Sequence, residues 1–279
     1  MNLLTIKQNI SRYILERSCP RGGFCFYRLD EPNPQDTYHA LAALHLLHVP
    51  YHNEQTIQYL QSLQHGDGTY ESLTQTYFIL LSLKFLGSRP LHAPAGGIEV
   101  LANRILSFTS THDDTPRSLF HALYQLVALY EEMKFDWREN QRESITQLLL
   151  AHHNRDGGFG IESSNLLSTF PAVAALRLLD HPLASARIEP FLRSCEHPVF
   201  GFTGKPETSL YFLEYLHAGL ALCDEMSLRP TYGQACASFM YQCQNDSGGF
   251  ARASLGIATI ENTCLAVHGI TILEQMGIL

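Results

Sequence analysis

One pattern recurs along this chain and restricts what it can fold into: a tight glycine turn with an aromatic residue, followed by a nearly all-apolar run. In Asp156-Gly157-Gly158-Phe159-Gly160 the turn depends on glycine, which accepts positive φ without penalty. The run Ala172 to Leu179 after it is apolar except for Arg177, the composition of a buried helix. Arg21-Gly22-Gly23-Phe24 likewise precedes Ala40 to Leu44, and Asp67-Gly68-Thr69-Tyr70 precedes Ile79 to Leu83. Phe200-Gly201-Phe202 precedes Leu216 to Leu220, and Asp246-Ser247-Gly248-Gly249-Phe250 precedes Ala266 to Ile270. Adjacent turns lie roughly 43–48 residues apart, a spacing typical of repeat architectures.

Taken in order, the periodicity predicts alternating amphipathic and apolar helices. The expected elements are Leu4–Ser18, Asp36–Leu47, Glu54–Gln64, Thr74–Leu86, Gly96–Ser110, Arg117–Met133, Trp137–His152, Phe170–Leu179, Leu183–Cys195, Leu210–Cys223, Thr231–Gln244 and Ile260–Met276. The third unit departs from the pattern, because Thr111-His112-Asp113-Asp114-Thr115-Pro116 replaces its glycine turn. About six helical hairpins result, apolar helices alternating with amphipathic ones. An open solenoid of such hairpins needs polar caps at both ends, and neither terminal unit is polar enough to be one. The expectation is therefore an all-α, α6/α6 toroid (barrel), with an open superhelix as the alternative. No Pro/Gly/Ser-rich linker or charge run divides residues 1–279, so a single domain is expected.

Composition narrows the partners. A net charge of −8 argues against nucleic acid, which selects for clustered Lys and Arg. The start of the chain has no secretory pattern, and no apolar run approaches the roughly 20 residues of a membrane span. Seven widely spaced cysteines without a Cys-x-x-Cys pair fit reduced thiols in a cytoplasmic protein.

The Gly-Gly-Phe turn followed by Thr-aromatic-x-Ala-Leu-Ala-Ala-Leu resembles the repeat of protein prenyltransferase β subunits and squalene-type terpene cyclases. It is clearest in Gly22-Gly23-Phe24 with Thr37 to Leu44, and in Gly157 to Gly160 with Thr169-Phe170. The resemblance covers most of the chain and implies a barrel whose inner helices surround an apolar, aromatic-lined isoprenoid pocket. The prenyltransferases hold zinc on Asp, Cys and His ligands near a Gly-Arg-Pro-x-Lys-x-x-Asp-x-Cys-Tyr stretch. Here that stretch reads Gly204-Lys205-Pro206-Glu207-Thr208-Ser209-Leu210-Tyr211, and alignment of the apolar helices puts Ser209, Tyr211 and Asn262 at the ligand positions. None suits zinc, so neither metal nor other cofactor is expected. Lys205 keeps one positive charge where a diphosphate would sit.

The cyclases that start by protonation carry Asp-x-Asp-Asp-Thr-Ala at the mouth of an inner helix. Thr111 to Pro116 resembles that motif with its first Asp missing. The resemblance makes Asp113 the proton donor and Asp114 its neighbour. Two carboxylates in an apolar pocket cannot both ionise, so one keeps the proton that an alkene must receive. The same residues are also a good helix start, with Asp or Thr capping and Pro in the first turn, and both readings stand. Asp36, before Thr37-Tyr38, reads as a cap.

Tyr38, Tyr77, Phe78, Phe120, Tyr124, Phe170, Tyr211 and Tyr215 cluster near the starts of apolar helices. They line a pocket or fill core. Tyr38, Tyr77, Phe120 and Phe170 share one register and are expected to ring one level. His39 and His121 occupy equivalent places, where each either hydrogen-bonds the acid or is a satisfied buried histidine. Glu214 and Glu261 fall in segments expected to be buried, as pocket groups or as pairs for His217 and Lys205. His152-His153 reads as surface and the cysteines as core.

Three functions remain. One is a protonation-initiated, class II type terpene cyclase acting on a linear, hydrophobic isoprenoid. The second is a prenyl-diphosphate transferase-like enzyme without the zinc site, and the third a non-catalytic toroid that binds lipid or protein. In the known cyclases a second helical domain completes the cavity. A homodimer or separate partner would supply that wall here, and peripheral membrane contact would give access to substrate.

Overall fold

The computed structural model describes residues 3–27, 31–106 and 116–279. Contacts between residues group these into two compact units, each assembled from separate stretches of chain. The first comprises 1–99 with 241–271, and the second 100–240 with 272–279.

In the first unit α1 (Leu3–Leu15) is amphipathic, burying Ile6, Ile10, Tyr13 and Ile14 at helical spacing. α2 (Pro34–Leu46) and α4 (Leu73–Phe85) pack on each other, with α3 (Glu54–Ser62) against α4 and α1 against α2. Burial runs almost all round α2 and α4, as their apolar sequences require. α5 (Ala95–Leu106) and α12 (Ile260–Gln275) each run across the division between units. In the second unit α6 (Pro116–Met133), α8 (Leu166–Leu178) and α10 (Leu213–Glu225) pack in succession, with α7 (Gln141–Leu150) on α8. α9 (Ser185–Ser194) and α11 (Gly233–Gln242) are again amphipathic, the latter ending in the first unit.

Three expected starts move by about one helical turn. The helix expected from Trp137 begins at Gln141, after Asn140 in a left-handed turn. α10 begins at Leu213 rather than Leu210, after an extended Phe212. α8 starts at Leu166, four residues before Phe170, and carries Pro171 inside it, so the Leu167 carbonyl lacks an i→i−4 donor. Strands were not expected, yet short antiparallel pairs occur at the glycine turns. β1 (Glu196–His197) pairs with β2 (Gly201–Phe202), and β3 (Phe250–Ala251) with β4 (Ala258–Thr259).

The turns are built alike. Single bridges join Ser18 to Phe24, His153 to Phe159 and Gln244 to Phe250, laying the aromatic residue back along the end of the preceding helix. That residue is then held by a threonine one turn into the next apolar helix. Phe24 N–H donates to Thr37 Oγ1 at 3.0 Å, Phe159 N–H to Thr169 Oγ1 at 2.9 Å and Phe250 N–H to Thr263 Oγ1 at 3.0 Å. Each hydroxyl donates in turn to the carbonyl four residues back, Asn33, Asn165 and Thr259 respectively. Phe24, Phe159 and Phe250 are fully buried. The turn glycine seats on a neighbouring amphipathic helix. Gly157, at φ +93°, leaves no room for a Cβ beside the Arg187 carbonyl of α9. Gly248, at φ +89°, does the same beside the Asn9 carbonyl of α1, so the last turn returns to the first helix.

The far ends of the apolar helices are equally regular. His48, Gly87, Lys134, Asp180, Ser227 and Gly277 all have positive φ between 55° and 67°. At all six the following N–H reaches the carbonyl five residues before it, as Val49 to Leu44 at 2.9 Å and His181 to Leu176 at 2.9 Å. This second repeat is invisible to a search for glycine, because four of the six positions carry side chains.

Thr169→Val keeps the shape of the threonine and removes its hydroxyl, stranding the buried Phe159 N–H. It is expected to destabilise the fold by about 1–3 kcal/mol, with Thr169→Ser close to wild type, as read by urea denaturation. Ser227→Gly at a left-handed helix end is expected to stabilise by roughly 0.5–1 kcal/mol in the same measurement. The relief of the left-handed penalty outweighs glycine's added chain entropy.

Candidate active site

In the first unit the start of α2 faces the start of α4, and their aromatic residues meet. The Tyr38 and Tyr77 hydroxyls lie 3.2 Å apart, with ring centroids 5.4 Å apart. Phe78 approaches Tyr38 to 5.2 Å and His39 to 5.5 Å. Deeper in the same cluster Phe85 meets Tyr38 at 6.2 Å and His45 at 5.1 Å. Sequence reasoning missed His45 and Phe85. They stand seven residues, or two helical turns, beyond Tyr38 and Phe78, so the spacing was available.

His39 does not fit the expectation of a satisfied buried histidine. Its Nδ1 is sealed and has no hydrogen-bond partner. Desolvation lowers its pKa to about 4; the Gln35 carbonyl one turn back opposes that shift without forming a hydrogen bond of good geometry. The ring is neutral at physiological pH. Some of the residue remains accessible, since it is only half-buried.

The second unit holds its own aromatic residues. Tyr124 lies 6.3 Å from Phe170, and Phe170 meets the His217 ring edge-on at 5.8 Å. Phe120, expected beside them, is fully buried and packs edge-on against His152 at the end of α7. The equal register of Tyr38, Tyr77, Phe120 and Phe170 therefore does not give them equal surroundings, because Phe120 is taken up between helix layers. His152 and His153 were read as surface and are packing groups instead. The His153 ring stacks on Phe159 at 4.7 Å, and the aromatic turn supplies the partner that the sequence concealed.

Tyr211 lies flat on Phe200, with centroids 3.5 Å apart, and both meet Phe239 edge-on. Tyr215 packs on Phe212 at 5.6 Å, and its ring lies against Gly204. Leu166 N–H donates to the Gly204 carbonyl at 2.8 Å, tying this loop to α8. Lys205 is exposed, and so is His121, which was expected either to bond the acid or to be a satisfied buried histidine. Helical phase turns His121 away from the buried Phe120 beside it. Glu261 was also expected to be buried; it is exposed and accepts from Gln35 at 3.3 Å, while Glu214 is half-buried. The expected acid pair Asp113 and Asp114 lies outside the described residues.

The positions aligned with prenyltransferase zinc ligands do not fit the metal. Tyr211 is committed to its stack, and the Asn262 N–H caps onto Thr259 Oγ1 at 3.0 Å. Among the described residues no group of three or more His, Cys, Asp or Glu side chains could hold a metal ion. The seven cysteines are buried and free, and desolvation pushes the thiols of Cys195, Cys223 and Cys264 up to about 12, which disfavours the thiolate at those three. Among the described residues no helix is long and apolar enough to cross a membrane.

With the repeated turns, threonine locks and paired apolar helices established, the chain matches the prenyltransferase alpha-alpha toroid domain over residues 4–79, 98–209 and 200–278. It belongs to that family, and its fold class is an all-α toroid. No curated protein matches its sequence. Among solved structures it is similar to the type II terpene cyclase MstE from Scytonema, in a complex with the substrate geranylgeranyl dihydroxybenzoate. That likeness has a TM-score of 0.65 at 12% identity and covers 98% of each chain. A second MstE complex, with the product merosterolic acid A, gives 0.61 at 12% identity over 99% of this chain and 98% of that one. The ent-copalyl diphosphate synthase from Streptomyces platensis gives 0.57 at 12% identity, over 86% of this chain and 50% of the other.

Elemental analysis of the purified protein is expected to find no stoichiometric zinc. One tightly bound zinc per chain would reinstate the metal-dependent transferase.

Proposed function

We propose that this protein is a terpene cyclase of the protonation-initiated, class II type, acting on a linear isoprenoid. The observation that carries this reading is the likeness to MstE across 98% of both chains, joined to membership of the toroid family. The aromatic clusters suit the chemistry, because the faces of Tyr38, Tyr77 and Phe78, and of Tyr124 and Phe170, stabilise a desolvated cation.

In this reading the carboxyl proton of Asp113 adds to a terminal alkene or epoxide, and Asp114 keeps that carboxyl protonated by charge repulsion. The resulting cation is attacked intramolecularly by the next alkene, so each C–C bond formed moves the positive centre along the chain. Loss of a proton from carbon ends the sequence, and substrate and product are isomers. The linear isoprenoid is the partner, delivered from solution or by peripheral contact with a membrane. The non-matching residues Ser209, Tyr211 and Asn262 weigh against prenyl transfer.

The test is to incubate wild type and Asp113→Asn with linear isoprenols, their diphosphates and epoxides, and prenylated aromatic acids, and to search for cyclic products. Asn caps a helix about as well as Asp, so stability is expected to hold. Turnover is expected to fall by about 10²–10⁴-fold, the range for loss of a general acid. Equal product from both proteins would remove Asp113 from the mechanism. No cyclic product from wild type with any substrate would favour a binding toroid.

A further inference from the structure

The three most exposed large apolar side chains among the described residues stand together. Leu255, Ile257 and Tyr27 are 106%, 78% and 73% exposed, and all belong to the first unit. Tyr27, Gly256 and Ile257 line one cavity of about 410 Å³ with Phe26 and Arg17, and Leu255 adjoins it through Gly256. Single exposed apolar residues are ordinary, but an adjoining set of them is not. Leu255 is the most telling. Its φ is +66°, a left-handed conformation that disfavours leucine and suits glycine. Packing gives nothing in return, because the side chain is as open as in an extended peptide. A leucine kept where the backbone favours glycine, and where the fold does not bury it, is explained by something outside the chain.

The surroundings hold these side chains out firmly. Gly256 N–H closes the tip of the β3–β4 hairpin on the Ala253 carbonyl at 3.1 Å, and the Tyr13 hydroxyl of α1 donates to the Ala258 carbonyl at 2.8 Å. In the cavity wall Arg17 is nine-tenths buried, its guanidinium 3.4 Å from the centroid of the Tyr13 ring and its Nη1 donating to the Tyr13 carbonyl at 2.7 Å. A guanidinium is charged at any physiological pH, and its fork of donors fits phosphate oxygens. We propose that this end of the first unit docks on the surface of a phospholipid bilayer. Leu255, Ile257 and Tyr27 enter the acyl boundary, and Arg17 meets a headgroup phosphate in the cavity beside them. Shape favours this occupant: protruding tips are enveloped by a fluid apolar medium, whereas a protein partner must offer a matching socket. Tyrosine, apolar in body and polar at its tip, suits that boundary. A net charge of −8 gives no long-range attraction to an anionic membrane, so buried apolar area and one local guanidinium carry the binding. The assignment is independent of the cyclase reading.

The test is sedimentation of the purified protein with phosphatidylcholine vesicles, which carry phosphate without net charge. Wild type is expected to co-sediment. Leu255→Gly relieves the left-handed backbone, so its stability in urea is expected to hold or rise. Its partition onto vesicles is expected to fall by about tenfold or more, the scale of burying one leucine side chain. Leu255→Trp is expected to shift its emission to the blue when vesicles are added, measured against wild type, whose single tryptophan is packed on Tyr130 in the second unit. Vesicles of a galactolipid, whose headgroup has no phosphate, are expected to bind severalfold more weakly. Wild type that stays in solution, equal partition of Leu255→Gly, or unshifted Leu255→Trp emission would each overturn the proposal. Equal binding to the galactolipid would overturn the phosphate contact. A wild-type dimer that Leu255→Gly converts to monomer would overturn it in favour of a second copy of the chain. None of these readouts needs turnover, so their failure leaves the cyclase reading intact.

Discussion

A threonine hydroxyl that accepts from the backbone of a glycine turn and donates back into its own helix is the contact on which the architecture depends. A turn of this kind leaves the N–H of its aromatic residue in the interior, where an unpaired donor costs about 1–3 kcal/mol. Thr37, Thr169 and Thr263 meet that need and at the same time fix the start of the apolar helix to the end of the amphipathic one before it. The glycines make the approach feasible. At Gly157 and Gly248 the backbone lies so close to the carbonyls of Arg187 and Asn9 that any side chain would push the helices apart. The lock between helices in a hairpin and the seat between neighbouring hairpins therefore come from one short segment.

The second glycine turn along the chain shows what happens when a part is changed. At Asp67-Gly68-Thr69-Tyr70 the second glycine is lost and the buried phenylalanine becomes tyrosine, whose hydroxyl is buried without a partner. The turn still forms, with the Asp67 carboxylate accepting from the Thr69 N–H and hydroxyl at 3.0 and 2.7 Å. Glycine at the seat is kept, since Gly68 lies against the Ala93 carbonyl. Close packing of backbone on backbone is thus the stricter requirement, and the aromatic plug is the more tolerant one.

The family frame and the local chemistry diverge at the loop before α10. A metal-dependent transferase needs thiolate, imidazole or carboxylate there, and this chain instead stacks Tyr211 on Phe200 and Phe239. That stack is packing chemistry, and it anchors the loop whose Gly204 carbonyl holds α8. A desolvated polar group is found elsewhere, at the aromatic ends of α2 and α4, where burial keeps the His39 ring neutral among aromatic rings.

By itself the sequence determined the helix alternation, the glycine turns and the membership of an α/α toroid family, because these follow from hydrophobic period and backbone sterics, which are local. Asp113 and Asp114 were legible as a helix cap from their place before Pro116, and as an acid pair only through the resemblance to the cyclase motif. The surroundings of each side chain were not legible. Phe120 and Tyr38 share a register, yet one is sealed against His152 and the other joins an aromatic cluster. His39 and His121 occupy equivalent positions, yet one is a desolvated base and the other is exposed. Periodicity says which face of a helix a residue occupies. What presses on that face, and therefore its charge state and hydrogen bonding, depends on residues tens of positions away that only the tertiary structure brings into contact.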